Sequence, residues 1–435
     1  MENARKNFRQ WSPEGCDGFR QQLKEAHQLL VFGPEDRGPH LMHAACKRWY
    51  LQQLQGLLGS TDTYQTVPKP WDEVRSEMAR GLKRWDMRIG NGVPYLYGIY
   101  KTKKSRWRPI AGVHKARGQP QPQPPRKLQP PTHPLHPLAE EMMRLLQVVL
   151  TSLEGADRVR MQTKELRAFW VVRSPQEFGA WVRTHLTELA GRSFKTVDFR
   201  DMYTNIEHGR LLERVHQALQ EAWSYEAASR GVEQERLSLT NTGWECGSPE
   251  VTGGYGMEAV LERLRWLLEN CFVVNSGVVR RQVRGIPMGL APSPQLADLF
   301  CYIAERDFVE KTGTETWLNT RYLDDIFAAD PLPSEEEYGM QYTQTSLGQD
   351  CTYIGVRVSK MGRSGLPSTI GKRSIQCTSP GTRQLEQWLQ ERNGGRSHSA
   401  GLLPRSSFAP HLPTSSSPWF GSLCGRWKGV IPQAT

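Results

Sequence analysis

The 435-residue chain has no run approaching the roughly 18 consecutive apolar residues that a bilayer span needs, and only 38% of it is hydrophobic. A membrane-spanning protein is excluded on that reading. The first twenty residues carry Glu2, Glu14 and Asp17 and no apolar segment, which fits neither a secretory leader nor an acid-poor transit peptide. The expectation is an intracellular protein with no clear targeting signal. Closely spaced cysteines are missing too. The nearest two of the eight, Cys246 and Cys271, stand 25 residues apart, so there is no CxxC pair and no zinc-ligand spacing. Reduced, mostly buried thiols are expected, and no zinc. Acid is the charge in short supply: 56 Lys and Arg face 45 Asp and Glu, a net +11. Such a surplus suits a polyanionic partner such as nucleic acid. Residues 361–435 hold nine basic and two acidic side chains, so most of the surplus lies after residue 360.

What is present begins with periodicity. Apolar residues at spacings of three and four predict helices over 41–58, 72–89, 138–153, 208–224, 256–271 and 294–309. Ser174, Pro175 and Glu177 make the start signal of a helix over 175–190, which Gly191 ends. Val93, Tyr95, Tyr97 and Ile99 alternate like a strand and lead into a dense basic run. Eight prolines between 119 and 137 exclude a helix or central strand there and mark a linker or surface insertion. Strands are expected at 194–199 and 351–358, a hairpin at 272–283 about Asn275, Ser276 and Gly277, and a strand–turn–strand at 318–329 about Asp324 and Asp325. Beyond about 380, Ser, Pro, Gly and Arg dominate and disorder is expected.

Three carboxylates terminate apolar arms: Asp198 after FKTV, and Asp324 with Asp325 after RYL. Any one of them reads most simply as a solvated turn residue. Their combination changes that reading. Phosphoryl transfer by two divalent metals roughly 3.5–4 Å apart needs acidic ligands on adjacent rigid elements. A strand-end Asp beside a hairpin-turn pair supplies that arrangement.

Tyr322, Leu323, Asp324 and Asp325 spell the YxDD of reverse transcriptases, and TVDFRDMYTNI (196–206) resembles their first palm motif. GIPMGLAPSP (285–294) keeps the Gly285, Gly289, Ser293 and Pro294 of their template-contacting motif. With YGIYKTKKSRWRPI (97–110), the wording is most similar to the reverse transcriptases of Penelope-like retroelements over roughly 36–358. In the family's Leu-Pro-Lys-x-His-Lys segment, this chain keeps the cations but lacks the proline and histidine.

The resemblance implies an α+β right-hand polymerase. Residues 1–92 would be a helical N-terminal extension and 93–190 fingers with the Pro-rich insertion at 119–137. Residues 191–360 would be a palm of antiparallel sheet backed by helices, and 361–435 a degraded or absent thumb in a disordered basic tail. Asp198 and Asp324 would hold two Mg2+ ions, with Mn2+ as substitute, helped by Asp325 and the Phe199 carbonyl. Tyr203 would be a steric gate against the ribose 2′-hydroxyl, with Asp201 and Gly289 near the nucleotide. The implied partners are an RNA template, a DNA primer and dNTPs, and a nuclear setting fits a retroelement enzyme. Lys101 and Arg108 would grip the triphosphate. Lys103, Lys104, Arg106, Arg280, Arg281, Arg284 and Ser293 would meet nucleic-acid strands, since like charges so dense need a polyanion. The rival reading is a catalytically decayed retroelement relic that binds nucleic acid without turnover. An RNA-synthesising polymerase is disfavoured by Tyr203.

Overall fold

Local sequence explains where the helices begin and end. Helix Trp71–Lys83 follows Pro70, with Asp72 and Glu73 in its first turn and Arg80 and Lys83 in its last, the charge order that complements the helix dipole. Val74, Met78 and Leu82 form its buried stripe, and each such side chain contributes about 1.5–3 kcal/mol. The helix stops short of the expected residue 89, and Trp85 instead packs edge-on against Trp266, ring centroids 5.5 Å apart.

The computed structural model describes residues 25–35, 38–101, 106–115, 132–313, 318–360 and 375–378. The expected disorder beyond 380 and most of the Pro-rich insertion lie outside the described residues. Four long helices, His136–Lys164, His208–Arg230, Met257–Glu269 and Ser293–Thr312, build the main core. The first runs well past its expected end at 153. Asp157 and Arg160 break the apolar pattern there, yet both are buried as an ion pair at 2.8 Å. Arg160 also meets Glu221 at 2.5 Å, and the Tyr302 hydroxyl donates to Glu221 at 2.7 Å, so one charge cluster joins three helices.

These helices back an antiparallel sheet whose strands run in the order Asn319–Tyr322, Asp325–Ala328, Phe194–Phe199, Tyr342–Gly348. The α+β class with a helix-backed antiparallel sheet is therefore the observed architecture. Strand Tyr342–Gly348, polar in sequence, is unforeseen. Its hydroxyls find partners on the neighbouring strand, where Thr196 bonds Thr345 and Ser346 at 2.7 and 2.6 Å.

The N-terminal region is not all helix. Residues 41–46, expected within a helix, belong to strand Gly38–Cys46, which pairs antiparallel with Leu30–Glu35 before helix Lys47–Leu58 begins. Cross-strand pairing of Cys46 with Leu30 and Ala45 with Val31 overrides a spacing that also suits a helix. This hairpin adjoins a second one, Gly92–Lys101 with Arg106–Lys115. The single strand expected at 351–358 is instead the hairpin Asp350–Tyr353 with Val356–Lys360. It turns at Ile354 and Gly355, with φ of 43° and 83°, a left-handed pair that glycine makes accessible. The expected hairpin at 272–283 forms as Phe272–Asn275 with Val278–Gln282, and Leu237–Thr240 with Gly243–Cys246 is a further, unforeseen one. Of the described cysteines, Cys271, Cys301 and Cys351 are buried, Cys46 and Cys246 are exposed, and all five are free. Among the described residues no helix is long and apolar enough to cross a membrane.

Candidate active site

Strand alternation decides where the acids stand. Val197, Phe199, Ile326 and Ala328 enter the main core beside the long helices, whereas Phe194 and Phe327 enter a second core with Phe178 and Tyr353. Asp198 and Asp325 are direct cross-strand partners. The two-residue period therefore puts both on the face turned away from the long helices.

The turn between Tyr322 and Asp325 is strained and closely tied. Leu323 has φ of 53°, a left-handed conformation that costs a non-glycine residue of order 1–3 kcal/mol. The Phe199 N–H donates to the Asp324 carbonyl at 3.0 Å, and the Tyr353 hydroxyl donates to the Asp325 carbonyl at 2.9 Å. Asp198, Asp324 and Asp325 are half-buried, and the Phe199 ring is buried against Tyr338. Asp201 is a second left-handed residue, φ 51°, exposed at the head of the short helix Met202–Asn205. Within that helix, burial pushes the Tyr203 phenol up, and the negative charges of Asp324 and Asp298 push it further. Tyr203 thus lies within the electrostatic reach of the turn.

The loop from Gly285 to Pro294 joins these parts. Gly285 and Ile286 donate to the Ile206 and Tyr203 carbonyls at 2.7 and 2.6 Å. A Cβ on Gly285 would stand 2.5 Å from the Tyr203 carbonyl oxygen. Gly289 has φ of 117°, and its Cβ would stand 2.5 Å from the Ala111 carbonyl oxygen; the Ala111 N–H donates to the Met288 carbonyl at 2.8 Å. Protein backbone takes the space beside these glycines, where a nucleic-acid strand is the expectation from sequence. Ser293 is only 3% exposed, and its hydroxyl donates to the Pro287 carbonyl at 2.7 Å, which shapes the loop.

The cations are spread over two hairpins. Lys101 pairs with Arg106 and Ile99 with Arg108, which puts Lys101, Arg106 and Arg108 on one face of the hairpin. Lys103 and Lys104 lie outside the described residues, and Arg106 is described by its backbone. Arg280 and Arg281 stand opposite Thr66 and Gln65. Arg284 Nε donates to the Asn205 carbonyl at 3.0 Å, which ties part of its guanidinium to the Tyr203 helix.

Sequence reasoning missed the group beneath the turn. Arg321 is fully buried and forms ion pairs at 2.6 Å with both Asp298 and Glu305. Burial pushes these two carboxyls up, against the opposing pull of Arg321. The available signal was two acids seven residues apart in an otherwise apolar stretch of helix, with an arginine next to the YLDD turn.

Among the described residues no three His, Cys, Asp or Glu side chains are arranged to hold a metal ion. Asp198 and Asp325 face each other across the ladder, while Asp324 occupies the turn. The strand end offers a partial set of hard oxygen donors. Mg2+ ordinarily takes one or two carboxylates, keeps several waters and completes its shell with substrate phosphates, so this donor chemistry fits Mg2+ or Mn2+.

No protein-family model matches the chain, and no curated protein matches it in sequence. Among solved structures, Candida albicans telomerase in complex with a fragment of telomeric RNA is similar at TM-score 0.52 and 12% identity, over 86% of this chain. Apo telomerase from Candida tropicalis without its C-terminal domain matches at TM-score 0.48 and 12% identity, over 77% of this chain and 63% of that one. The RNA-dependent RNA polymerase of a human picobirnavirus matches at TM-score 0.34 and 11% identity, over 79% and 66%. The chain spans 59% of the Candida albicans telomerase chain, and that likeness makes its fold polymerase-like.

Proposed function

We propose that this chain is an RNA-directed DNA polymerase of the kind found in Penelope-like retroelements, adding deoxynucleotides to a primer 3′-hydroxyl. One observation carries the reading: Asp198 stands across the ladder from Asp325 on a helix-backed sheet, next to the Asp324 turn whose charge acts on Tyr203. In this reading Asp198 and Asp324 hold two Mg2+ ions, with Asp325 and the Phe199 carbonyl as accessory ligands. When bound, such ions activate the attacking hydroxyl and steady the departing pyrophosphate.

The remaining roles belong to the chain itself. Tyr203 sits where a ribose 2′-hydroxyl would collide with its ring, and Asp201 lies beside the triphosphate. Lys101 and Arg108 take the triphosphate oxygens from the hairpin, and Gly289 lets that hairpin approach the loop. Lys103, Lys104, Arg106, Arg280 and Arg281 neutralise template and primer phosphates.

Purified protein given an RNA template, a DNA primer, dNTPs and Mg2+ should extend the primer. Asp324→Asn should abolish extension and Tyr203→Ala should admit rNTPs, with salt-sensitive binding retained in both. A second reading is a nucleic-acid binder without turnover, supported by the chain's net charge of +11. Binding with no extension in any divalent ion would establish it.

A further inference from the structure

Arg321 lies directly before Tyr322, fully buried, and its guanidinium meets two elements of the site at once. Nε donates to Glu305 Oε1 at 2.6 Å, Nη1 to Asp298 Oδ1 at 2.6 Å, and Nη2 to the Asp298 carbonyl at 3.2 Å. Both acids lie on helix Ser293–Thr312, which continues the loop bearing Gly285 and Gly289. Nη1 also reaches the Leu323 carbonyl at 3.4 Å, the left-handed residue of the turn. The backbone of Arg321 is held as well, its N–H donating to the Trp170 carbonyl at 2.7 Å and its carbonyl accepting from the Val172 N–H at 2.8 Å.

Stability alone does not account for such a group. Burying each ion costs several kcal/mol, and an apolar set of similar volume often packs as well or better. Geometry accounts for it more directly. A guanidinium is a rigid planar fork, so tying Nε and Nη2 to the helix fixes where Nη1 points. It is shared between Asp298 Oδ1 at 2.6 Å and the Leu323 carbonyl of the turn at 3.4 Å.

We propose that Arg321 is a positioning residue. Clamped by Asp298 and Glu305, it holds the Leu323–Asp324 turn in its left-handed form and so sets where the Asp324 carboxylate stands relative to Asp198. This inference rests on the reading of Asp324 as a metal ligand.

The test compares the full chain with Arg321→Lys, Glu305→Gln and Asp324→Asn. Two quantities are read: Mn2+ binding by electron paramagnetic resonance with primer–template and dNTP present, and hydrogen exchange of the Leu323–Asp325 amides. Arg321→Lys keeps the charge and loses the fork. It should weaken Mn2+ binding roughly tenfold or more, as loss of a group supporting a ligand does, and speed exchange in the turn but not in the helices. Glu305→Gln should shift both quantities in the same direction by less, and it carries the test if Arg321→Lys does not fold. If Asp324→Asn loses Mn2+ while Arg321→Lys and Glu305→Gln leave binding and turn exchange unchanged, the ligand reading stands and this inference is overturned. Uniformly faster exchange with unchanged Mn2+ affinity overturns it as well, by showing a structural role only. If the unsubstituted chain binds no Mn2+ and Asp324→Asn changes nothing, the ligand reading itself has failed and the inference falls with it.

Discussion

The strand end that carries the acids and the hairpin that carries the cations are anchored by opposite means. Asp198 sits on an inner strand of a four-stranded ladder, over a core of four long helices, three of them joined by one buried charge cluster and one tied to strand Asn319–Tyr322 by the Arg321 pairs. The hairpin Gly92–Lys101 with Arg106–Lys115 rests on ring contacts, such as His43 stacked on Tyr100 at 4.2 Å and Trp107 edge-on to Tyr50 at 4.8 Å. Its polar ties to neighbouring elements include Ala111 with Met288 and Leu96 with the Asn275 side chain at 3.1 and 2.9 Å, beside a small buried cluster of Leu96 with Leu58, Tyr64 and Val273. Carboxylates that must keep a fixed spacing tolerate no slack, and interior charge pairs have no alternative partner to slip toward. Side chains that grip a substrate arriving and leaving are better served by a mount that gives.

Breaking the first kind of anchor should cost most. Arg160→Met strands the Asp157 carboxylate in the interior, Glu221 keeping its pair with Arg306 at 2.9 Å, and should lower stability by about 3–5 kcal/mol, read as a lower urea midpoint at unchanged m-value. Breaking the second should cost less and act locally. Gly289→Ala places a Cβ against the Ala111 carbonyl at a backbone conformation that resists it, for a cost of order 1–3 kcal/mol. Hydrogen exchange should rise in the Arg106–Lys115 strand while the four long helices stay protected.

The seam between the two regions supplies a pH test. Gly90 and Gly92 of the hairpin base donate to the Pro134 and Thr132 carbonyls, on either side of His133, whose Nδ1 accepts from the Leu135 N–H at 3.1 Å. Burial, with His136 nearby, pushes this imidazole down to about 4. The neutral ring belongs to the folded state. Its contribution is complete above the unfolded value of about 6.5 and is lost as pH falls from there toward 4. The midpoint of unfolding should fall across that window, and His133→Gln should flatten the fall. The smallest effect is expected at the surface. Arg281→Ala should weaken binding to an RNA–DNA duplex evenly across sequences and reduce the slope of log affinity against log salt by about one. An unchanged slope would remove Arg281 from the phosphate contacts.

How much of this was legible in the sequence depends on the range of the interaction involved. Helix Trp71–Lys83, the turn at Ser276–Gly277 and the YLDD hairpin are written in neighbouring residues: a proline and its following acids, a glycine that accepts left-handed backbone, and two apolar arms around a polar turn. Local pattern was silent or misleading where distant chain supplied the partner. Residues 41–46 suit a helix until a strand pairs with them. Polar strand Tyr342–Gly348 gives no strand signal until the Thr196 hydroxyl answers its own. Asp157, Arg160, Asp298, Glu305 and Arg321 carry no local sign of burial, and each finds a counter-charge inside.

From sequence alone came the identity of the acids, their order along the chain and the strands that carry them, because strand and turn propensity act over a few residues. Only the tertiary structure decided that Asp198 and Asp325 share one face, that Tyr203 lies within reach of Asp324, and that a buried guanidinium braces the turn. Those are long-range outcomes of pleat register and of charges that enter the interior only in company, and neither can be read from one segment at a time.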